Sequence, residues 1–419
     1  MKISWLVLPV TLLFLITFQN SNAQQVVLDS LIDIALKNNP EIKASESMSK
    51  SFAYKSHASG SLPDPSINVG LLNLPVNSFA FDETPMSGIN IGISQKIPWL
   101  GKLSNERKLA DINTQISETQ TNILKNQIIK NVTDAYAEYS FFALSIPIIE
   151  DFLDLLEATR NTSEIKYANG DAPAQDMLRI SSLYSRVKVK LLNIKQNKYK
   201  SLVKLRQLAN DFLLPENLTP TLAEPYEDTE SLITIDKSPY LYKSSLGVEF
   251  SKYNKKISHN NYYPDFVLGV DYRLREHVTG DPVKGADFLS FKVGFTLPLW
   301  FNKKQDNKLR AANQMIISSK EQENSVRNLL LARSTELESQ LDTEMKSIRE
   351  YDNSIIPEAN AAAESAEIAY EVGQVDFNAL LAAQKELFEI KIERLNLLKQ
   401  YHQSKAALTE VAGTSYERE

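Results

Sequence analysis

The chain has 419 residues, enough for a large core or several domains. Its formal net charge of −6 argues against nucleic acid as a partner, because a protein that binds a phosphate backbone needs a basic face. The absence of cysteine excludes a disulfide framework, a thiolate metal site and a catalytic thiol, and the four histidines disfavour a histidine-dependent enzyme.

The N-terminal segment has the pattern of a secretory signal over residues 1–23. Lys2 precedes the apolar run Ile3–Phe18, and the triplet Ser21–Ala23 has the small-x-small spacing of a signal-peptidase site. The run is short for a membrane span, and a membrane anchor is the alternative. A lipoprotein would need a cysteine at the cut, so we expect the mature chain to leave the cytoplasm without a lipid.

After the signal, the chain divides into two similar repeats, residues 24–212 and 229–413. A linker rich in proline and acidic residues separates them at 213–228, and a short tail follows at 414–419. Landmarks recur in the same order at an offset of roughly 200 residues, which indicates a duplication. The matched landmarks are Pro40 and Pro239, Pro63 and Pro264, Trp99 and Trp300, Lys108 and Lys308, Pro147 and Pro357, and Gly170 and Gly373. We predict one plan for both repeats: helix, two strands, long helix, turn, helix.

Four strands are predicted, at 64–74, 86–98, 264–275 and 287–298. They alternate apolar residues with small or polar ones, as in the run INIGISQKI that ends at Ile97. Strands of about ten residues with this alternation fit a bilayer-spanning barrel, while an ordinary soluble sheet is the alternative. Trp99 and Trp300 each follow a strand, where aromatic side chains meet lipid headgroups, and this favours the barrel.

A single chain offers too few strands for such a barrel. Open sheet edges cannot stand in lipid, because their amide and carbonyl groups would lack partners. Several copies must therefore share one wall, and three copies would supply twelve strands, within the usual range of sizes.

Long helical segments follow each strand pair. The segments Lys102–Lys166 and Lys303–Ala369 lack glycine, and only Pro147 and Pro357 interrupt them. At the α-helical rise each would run about 100 Å. The shorter segments, Leu28–Ser59, Ala174–Phe212, Glu230–Asn260 and Phe377–Ala412, would stack in pairs to a similar length. We therefore expect four helical columns of equal height. The row Leu381, Phe388 and Leu395 has the seven-residue spacing of coiled-coil neighbours.

The predicted turns at 167–173 and 370–376 share the pattern Tyr-x-x-Gly. Gly170 and Gly373 permit the positive φ that ends a helix. Tyr167 and Tyr370 either hydrogen-bond across neighbouring helices and hold an aperture closed or pack as ordinary helix-end side chains. Asp171 and Asp176 near the first turn, and Asp376 near the second, either form an acidic ring that attracts cations or favour the helix start.

Other candidates have a functional and a plain interpretation. His57 and His259 stand at near-equivalent places, but no second ligand lies at ligand spacing, so we predict no metal site and regard them as polar residues below the barrel. Arg273, Arg275 and Lys292 fall on polar strand faces, where they make either a basic lumen or a generic wet interior. We predict no cofactor and no catalytic residue, because the sequence has no nucleophile elbow, HExxH or phosphate loop.

The sequence resembles the TolC-type outer-membrane efflux proteins over nearly the whole mature chain. The resemblance rests on the duplication, on LKNNPEI (Leu36–Ile42), on QKIPWLGKL (Gln95–Leu103) and on YEVG at Tyr370–Gly373 followed by LLAAQ. The passage IPWLGKL is most similar to the CusC- and CzcC-like heavy-metal branch.

That resemblance implies a homotrimer: a twelve-strand barrel in the outer membrane of a Gram-negative bacterium and a helical tunnel in the periplasm. It implies a passive exit duct served by a periplasmic adaptor and an inner-membrane pump of the resistance-nodulation-division type. The expected cargo is heavy-metal cations or, alternatively, drugs or secreted proteins. The aperture and adaptor contacts would lie at the two turns, at Tyr167, Gly170, Asp171, Asp176, Tyr370, Gly373 and Gln374.

The sequence also departs from the family pattern. Val375 stands where some relatives have an arginine used in gate ion pairs, so gate electrostatics do not transfer. The heavy-metal branch often begins with a lipidated cysteine, which is absent. A structural or adhesive trimeric stalk is the alternative from another class, but the helices fold back at both turns and no head domain follows.

Overall fold

The computed structural model describes residues 20–216, 218–225 and 235–413, with side chains described from residue 28 onward. The predicted signal segment up to residue 19, part of the predicted linker and the tail at 414–419 lie outside these residues. Two units are distinguished. The helical unit is Met1–Ala44, Asn122–Pro239 and Arg327–Glu419, and the sheet unit is Ser45–Thr121 and Tyr240–Val326.

Both repeats run helix, two strands, long helix and shorter helix, which confirms the predicted fold class of a mostly helical, duplicated chain. The helices are α1 Asn20–Asn38, α2 Pro40–Ser59, α3 Lys102–Ala168, α4 Ala174–Ala209, α5 Pro239–Asn260, α6 Gln305–Glu350, α7 Ile356–Glu371 and α8 Phe377–Ala412. The strands are β1 Ser66–Leu72, β2 Gly88–Ile97, β3 Phe266–Leu274 and β4 Phe288–Phe295, each shorter than predicted.

The segment predicted as one helix from Leu28 to Ser59 is two helices, broken at Asn39. The Asn39 side-chain oxygen accepts the backbone amide of Glu41 at 2.8 Å, and Pro40 begins α2. Asparagine caps and proline at the first helical position favour such a start. In the second repeat the helix before the strands likewise begins at a proline, Pro239, and the predicted start at Glu230 lies outside the described residues.

The two helix-interior prolines behave differently from each other. Pro147 lies inside α3, which continues without a break from Lys102 to Ala168, so the predicted interruption there is wrong. Pro357 lies in the first turn of α7, directly after a π-helical turn at Tyr351–Ile355 that separates α6 from α7. A proline removes one backbone donor, and the wider turn ahead of it takes up the disruption.

The strands form one antiparallel sheet in the order β1-β2-β3-β4. The register aligns apolar residues with apolar ones, as in the row Ile67, Ile93, Val270 and Phe291. These side chains are exposed in the single chain, and Phe291 reaches 75%. Small and polar residues occupy the opposite face, so the predicted alternation of the two faces is present in all four strands.

The core of the helical unit gathers α1, α3 and α4 around the fully buried Tyr139. A strap, defined here as residues 213–216 and 218–225, crosses this core. The Tyr139 hydroxyl accepts the Leu218 amide at 3.0 Å and lies 3.2 Å from the Leu218 carbonyl, and the Tyr136 hydroxyl donates to the Thr219 carbonyl at 3.1 Å. Side-chain hydroxyls therefore fix a segment that has no secondary structure of its own.

The strap also contacts α8 of the second repeat. Arg394 pairs with Glu224 at 2.7 Å and with Asp352 at 2.6 Å, and both carboxylates, Asp352 first, raise the pKa of Arg394. His402 lies 2.9 Å from the Ala223 carbonyl. Among the described residues, none of the helices has a stretch both long and apolar enough to span a membrane.

Candidate functional site

The two Tyr-x-x-Gly turns have the same backbone hydrogen bonds. In the first, the Gly170 amide donates to the Tyr167 carbonyl at 3.0 Å, and the Asp171 amide donates to Lys166 at 2.8 Å. In the second, the Gly373 amide donates to Tyr370 at 3.1 Å, and the next amide closes back on Ala369 at 2.8 Å. This pair of bonds is the Schellman motif.

The glycines take φ values of +80° at Gly170 and +76° at Gly373, as predicted. No heavy atom would lie within 4 Å of an added Cβ at either position, so the backbone conformation, and not crowding, requires glycine. Both tyrosines lie in the last turn of a helix, one residue from the end of α3 or α7, and not in the turn itself.

The tyrosine side chains differ although their backbones match. The Tyr370 ring lies edge-on to the buried Phe377, with centroids 6.0 Å apart, and Lys166 places its Nζ 3.9 Å from the centre of the Tyr370 ring. The C-terminal end of α3 in one repeat therefore contacts the C-terminal end of α7 in the other through a cation–π contact. Tyr167 is 47% exposed. Of the predicted aperture residues, Tyr370 therefore contacts Lys166 and Phe377, neither of which was predicted to belong to the aperture.

The acidic residues near the turns have separate roles. Asp376 is the N-cap of α8, and its Oδ1 accepts the Ala379 amide at 2.9 Å, so the capping interpretation holds there. Asp176 lies in the first turn of α4, whose N-cap is Pro173 and has no side-chain cap. Asp171 and Gln374 are exposed.

The starts of α4 and α8 pack against each other behind the turns. Arg179 donates to the Asn378 side chain, and Phe152 stacks on Phe388 with centroids 4.4 Å apart. Lys190 lies over the same Phe388 ring. The row Leu381, Phe388 and Leu395 was predicted to face coiled-coil neighbours, and Phe388 and Leu395 are buried.

The polar face of the sheet carries one linked cluster. Asp271 accepts a hydrogen bond from Asn90 at 2.8 Å and pairs with Lys292 at 2.6 Å. Gly92, opposite Asp271, makes room for this cluster, because an added Cβ would lie 2.4 Å from the carboxylate oxygen. Arg273 lies on the same face. The predicted basic face is therefore partly neutralised.

Arg275 is not on the strand face, and that prediction is wrong. It follows the end of β3, and its side chain, 1% exposed, donates to Asp281 at 2.7 Å and lies 4.2 Å from the ring centre of Phe288. The Gly285 and Val283 amides, together with Arg275, hold the pKa of Asp281 below its usual value. A buried charge needs a partner, and the Arg275–Asp281 pair holds the β3–β4 loop against the end of β3.

The two tryptophans predicted at the membrane interface have different surroundings. Trp99 stacks on Tyr263, with centroids 4.9 Å apart, and its amide donates to Asp265 at 3.1 Å. Asp265 also pairs with Lys96 and Lys102, each at 3.3 Å. Trp300 is 72% exposed.

The histidines do not form a cluster. His259 lies near the rings of Tyr262 and Tyr263, and His57 lines a polar cleft with Asp111 and Glu249. Within the described residues, no group of three or more His, Asp or Glu side chains is placed to hold a metal ion.

Sequence reasoning missed Lys166, Asp265 and the strap contacts. Asp265 directly follows the repeat landmark Pro264 and was included only as part of the predicted strand 264–275. Lys166 precedes the marked tyrosine by one residue, and a lone lysine at a helix end predicts no particular partner.

The chain matches the family described as outer membrane efflux protein twice, over residues 31–211 and 234–414. Among solved structures, the outer membrane protein VceC from Vibrio cholerae is 17% identical with a TM-score of 0.79, covering 95% of this chain and 98% of its own. The outer-membrane channel OprN is 15% identical with a TM-score of 0.76, covering 93% and 90%. No curated protein matches by sequence.

CusC, whose structures concern transmembrane channel formation, is 14% identical with a TM-score of 0.72, covering 92% of this chain and 91% of its own. Its TM-score is similar to those of VceC and OprN. The comparisons therefore do not single out the heavy-metal branch, and at these identities they show the fold alone.

Proposed function

The chain belongs to the outer membrane efflux protein family, and on that premise we propose that it is the exit duct of a tripartite efflux system. As a member of this family it resides in the outer membrane and extends into the periplasm. In this proposal it conducts substrate passively, and an inner-membrane pump of the resistance-nodulation-division type supplies the energy through a periplasmic adaptor. We propose no catalytic role.

The observation that carries the proposal is the four-stranded sheet with two unlike faces and two open edges. Among the described strands, β1 pairs only with β2, and β4 pairs only with β3. One face is apolar and exposed, and the other is small and polar. Lipid satisfies the apolar face but cannot satisfy the edges, so β4 of one copy must pair with β1 of another. Three copies close the wall.

The closure is tested with engineered cysteines, since the chain has none of its own. Asn68→Cys on β1 is combined in turn with a cysteine at each position of β4. In outer-membrane fractions, oxidation should link chains into covalent species of up to three copies for at least one combination.

The control is Ile93→Cys with Val270→Cys, which lie opposite each other on β2 and β3 of the same chain. This pair should close a bond within one chain and leave a single-chain species after denaturation. If every β1–β4 combination yields only single-chain species, edge-to-edge closure is wrong.

The turns are proposed as the aperture and the adaptor contact. Gly170 and Gly373 set the backbone reversal, and exposed groups such as Asp171 and Gln374 are open to a partner. The Lys166–Tyr370 contact joins the helix ends that precede the two turns of one chain. Opening the aperture would require this contact to break.

For the cargo, heavy-metal cations are the specific proposal, supported by the passage Gln95–Leu103 alone. The gene is deleted, and growth is measured across toxic metals and drugs, with the wild-type gene restored as control. We expect lower metal tolerance. Drug sensitivity with unchanged metal tolerance would contradict this and favour drug efflux, whereas loss of one exported protein would favour type I secretion.

A further inference from the structure

A small cavity lies where β4 ends and α6 begins, within the sheet unit. Its volume is about 280 Å³, and the residues that line it include Lys102, Lys304, Lys308, Asp265 and Trp300. Three lysines and one aspartate thus line the cavity. The start of α6 at Gln305 adds the positive end of a helix dipole. The composition of the cavity favours an anion.

The carboxylate does not cancel the two lysines of α6 and its leading turn. Asp265 is already engaged by Lys102 and Lys96, each at 3.3 Å, and by the Trp99 amide. Lys304 and Lys308 are exposed, and across the described ranges neither forms an ion pair. Their charge therefore remains available to a ligand.

The cavity borders the apolar face of the sheet. The exposed row of β4 continues past the strand at Leu297 and Leu299, which are 59% and 68% exposed, and ends at Trp300. Leu297 and Trp300 line the cavity, so the ammonium groups lie beside a surface suited to lipid. In the first repeat the equivalent Trp99 is stacked on Tyr263, so this arrangement is particular to the second repeat.

We propose that this cavity binds the phosphate of an anionic phospholipid in the periplasmic leaflet. Lys304 and Lys308 pair with the phosphate as point charges, and Trp300 and Leu297 contact the glycerol and the first acyl carbons. A free phosphate ion satisfies only the first half of this site. The inference depends on the outer-membrane location and not on the cargo or the pump.

The test uses quenching of tryptophan fluorescence by phospholipids brominated on their acyl chains. Trp99→Phe leaves Trp300 as the reporter in the mature chain, because the third tryptophan, Trp5, lies in the predicted signal segment. The full-length oligomer is reconstituted in phosphatidylcholine vesicles containing increasing fractions of brominated phosphatidylglycerol or brominated phosphatidylcholine. Phosphatidylglycerol should quench at a fraction roughly tenfold lower, since each basic residue favours an anionic lipid several-fold.

Charge variants assign the preference to the site. Lys304→Gln with Lys308→Gln should make the two lipids quench equally. Lys304→Arg with Lys308→Arg keeps both charges and should retain the preference for phosphatidylglycerol. Lys188→Gln with Lys320→Gln, two exposed lysines elsewhere, should leave it unchanged. Equal quenching in the unmodified oligomer, or a preference that survives Lys304→Gln with Lys308→Gln, would overturn the proposal.

Two further readouts complete the design. Millimolar inorganic phosphate should not abolish the preference, and if it does, the site binds phosphate ions and the lipid assignment is wrong. Migration of unheated samples in detergent gels verifies that each variant assembles. Loss of assembly in the unmodified chain counts against the proposed duct, whereas intact assembly without lipid preference counts only against this site.

Discussion

Lys166 shows how one side chain links the two repeats at the residue scale. Its ammonium lies 3.9 Å from the ring centre of Tyr370, and that ring packs on Phe377. Cation–π contacts contribute about 0.5–2 kcal/mol, depending on how far they are removed from water. Val375 carries no charge that could form an ion pair at the second turn, so this contact is the local candidate for holding the two helix ends together.

We expect Lys166→Met to raise the resting conductance of the reconstituted duct in planar bilayers. The loss of about 0.5–2 kcal/mol corresponds to a roughly two- to thirtyfold larger open population. Lys166→Arg keeps a cation over the ring and should stay near the wild type, and Lys188→Met removes an exposed charge elsewhere as a control. If the arginine variant conducts as much as the methionine variant, the contact does not hold the aperture.

At the element scale, the strap is held by side chains that form hydrogen bonds with its backbone groups. Tyr139, Tyr136 and His402 all bond to its amides or carbonyls. The sequence predicted a linker here from its prolines and acids, but any residue type offers the same carbonyl, so the partners were not predictable. By contrast, the strand faces and the Tyr-x-x-Gly turns were predicted, because alternation and positive φ constrain residue type directly.

His402 makes the strap sensitive to pH. Burial lowers the pKa of His402, and the nearby Lys405 lowers it further, although the bond to the Ala223 carbonyl acts in the other direction. The unfolded histidine has a pKa of about 6.5, so below that value the unfolded chain binds a proton that the folded chain resists. The contribution of His402 to the free energy of unfolding is therefore fully present above about pH 6.5. It declines as the pH falls toward the pKa of His402 in the folded chain.

We expect the thermal midpoint of the helical signal in circular dichroism to fall between about pH 7.5 and pH 5.5. His402→Gln should reduce this decrease, because no group at that position then titrates. The comparison variant is His277→Gln, which replaces an exposed histidine of the sheet unit and should show the same decrease in thermal midpoint as the wild type. An identical decrease in wild type and His402→Gln would show that other groups control the transition.

At the scale of the whole molecule, duplication has produced two repeats that share one order of elements and differ in their contacts. Trp99 is packed while Trp300 is exposed, and Tyr370 is engaged while Tyr167 is not. The landmarks predicted the common plan because they mark turns and strand ends. They did not predict the differences, since each depends on a neighbour such as Tyr263 or Lys166 that lies outside the repeated pattern. Arg275 was misassigned for the same reason.

The two free borders of the sheet have a consequence for biogenesis. A newly exported subunit exposes an apolar sheet face and two unpaired strand edges to the aqueous periplasm until it meets other subunits. Closure of the barrel requires subunits to associate, so the rate of assembly must depend on the rate at which subunits are made. Cells that produce too few subunits would accumulate unassembled intermediates. A chaperone that covers the strand edges until the subunit reaches the membrane would then determine the yield of assembled ducts.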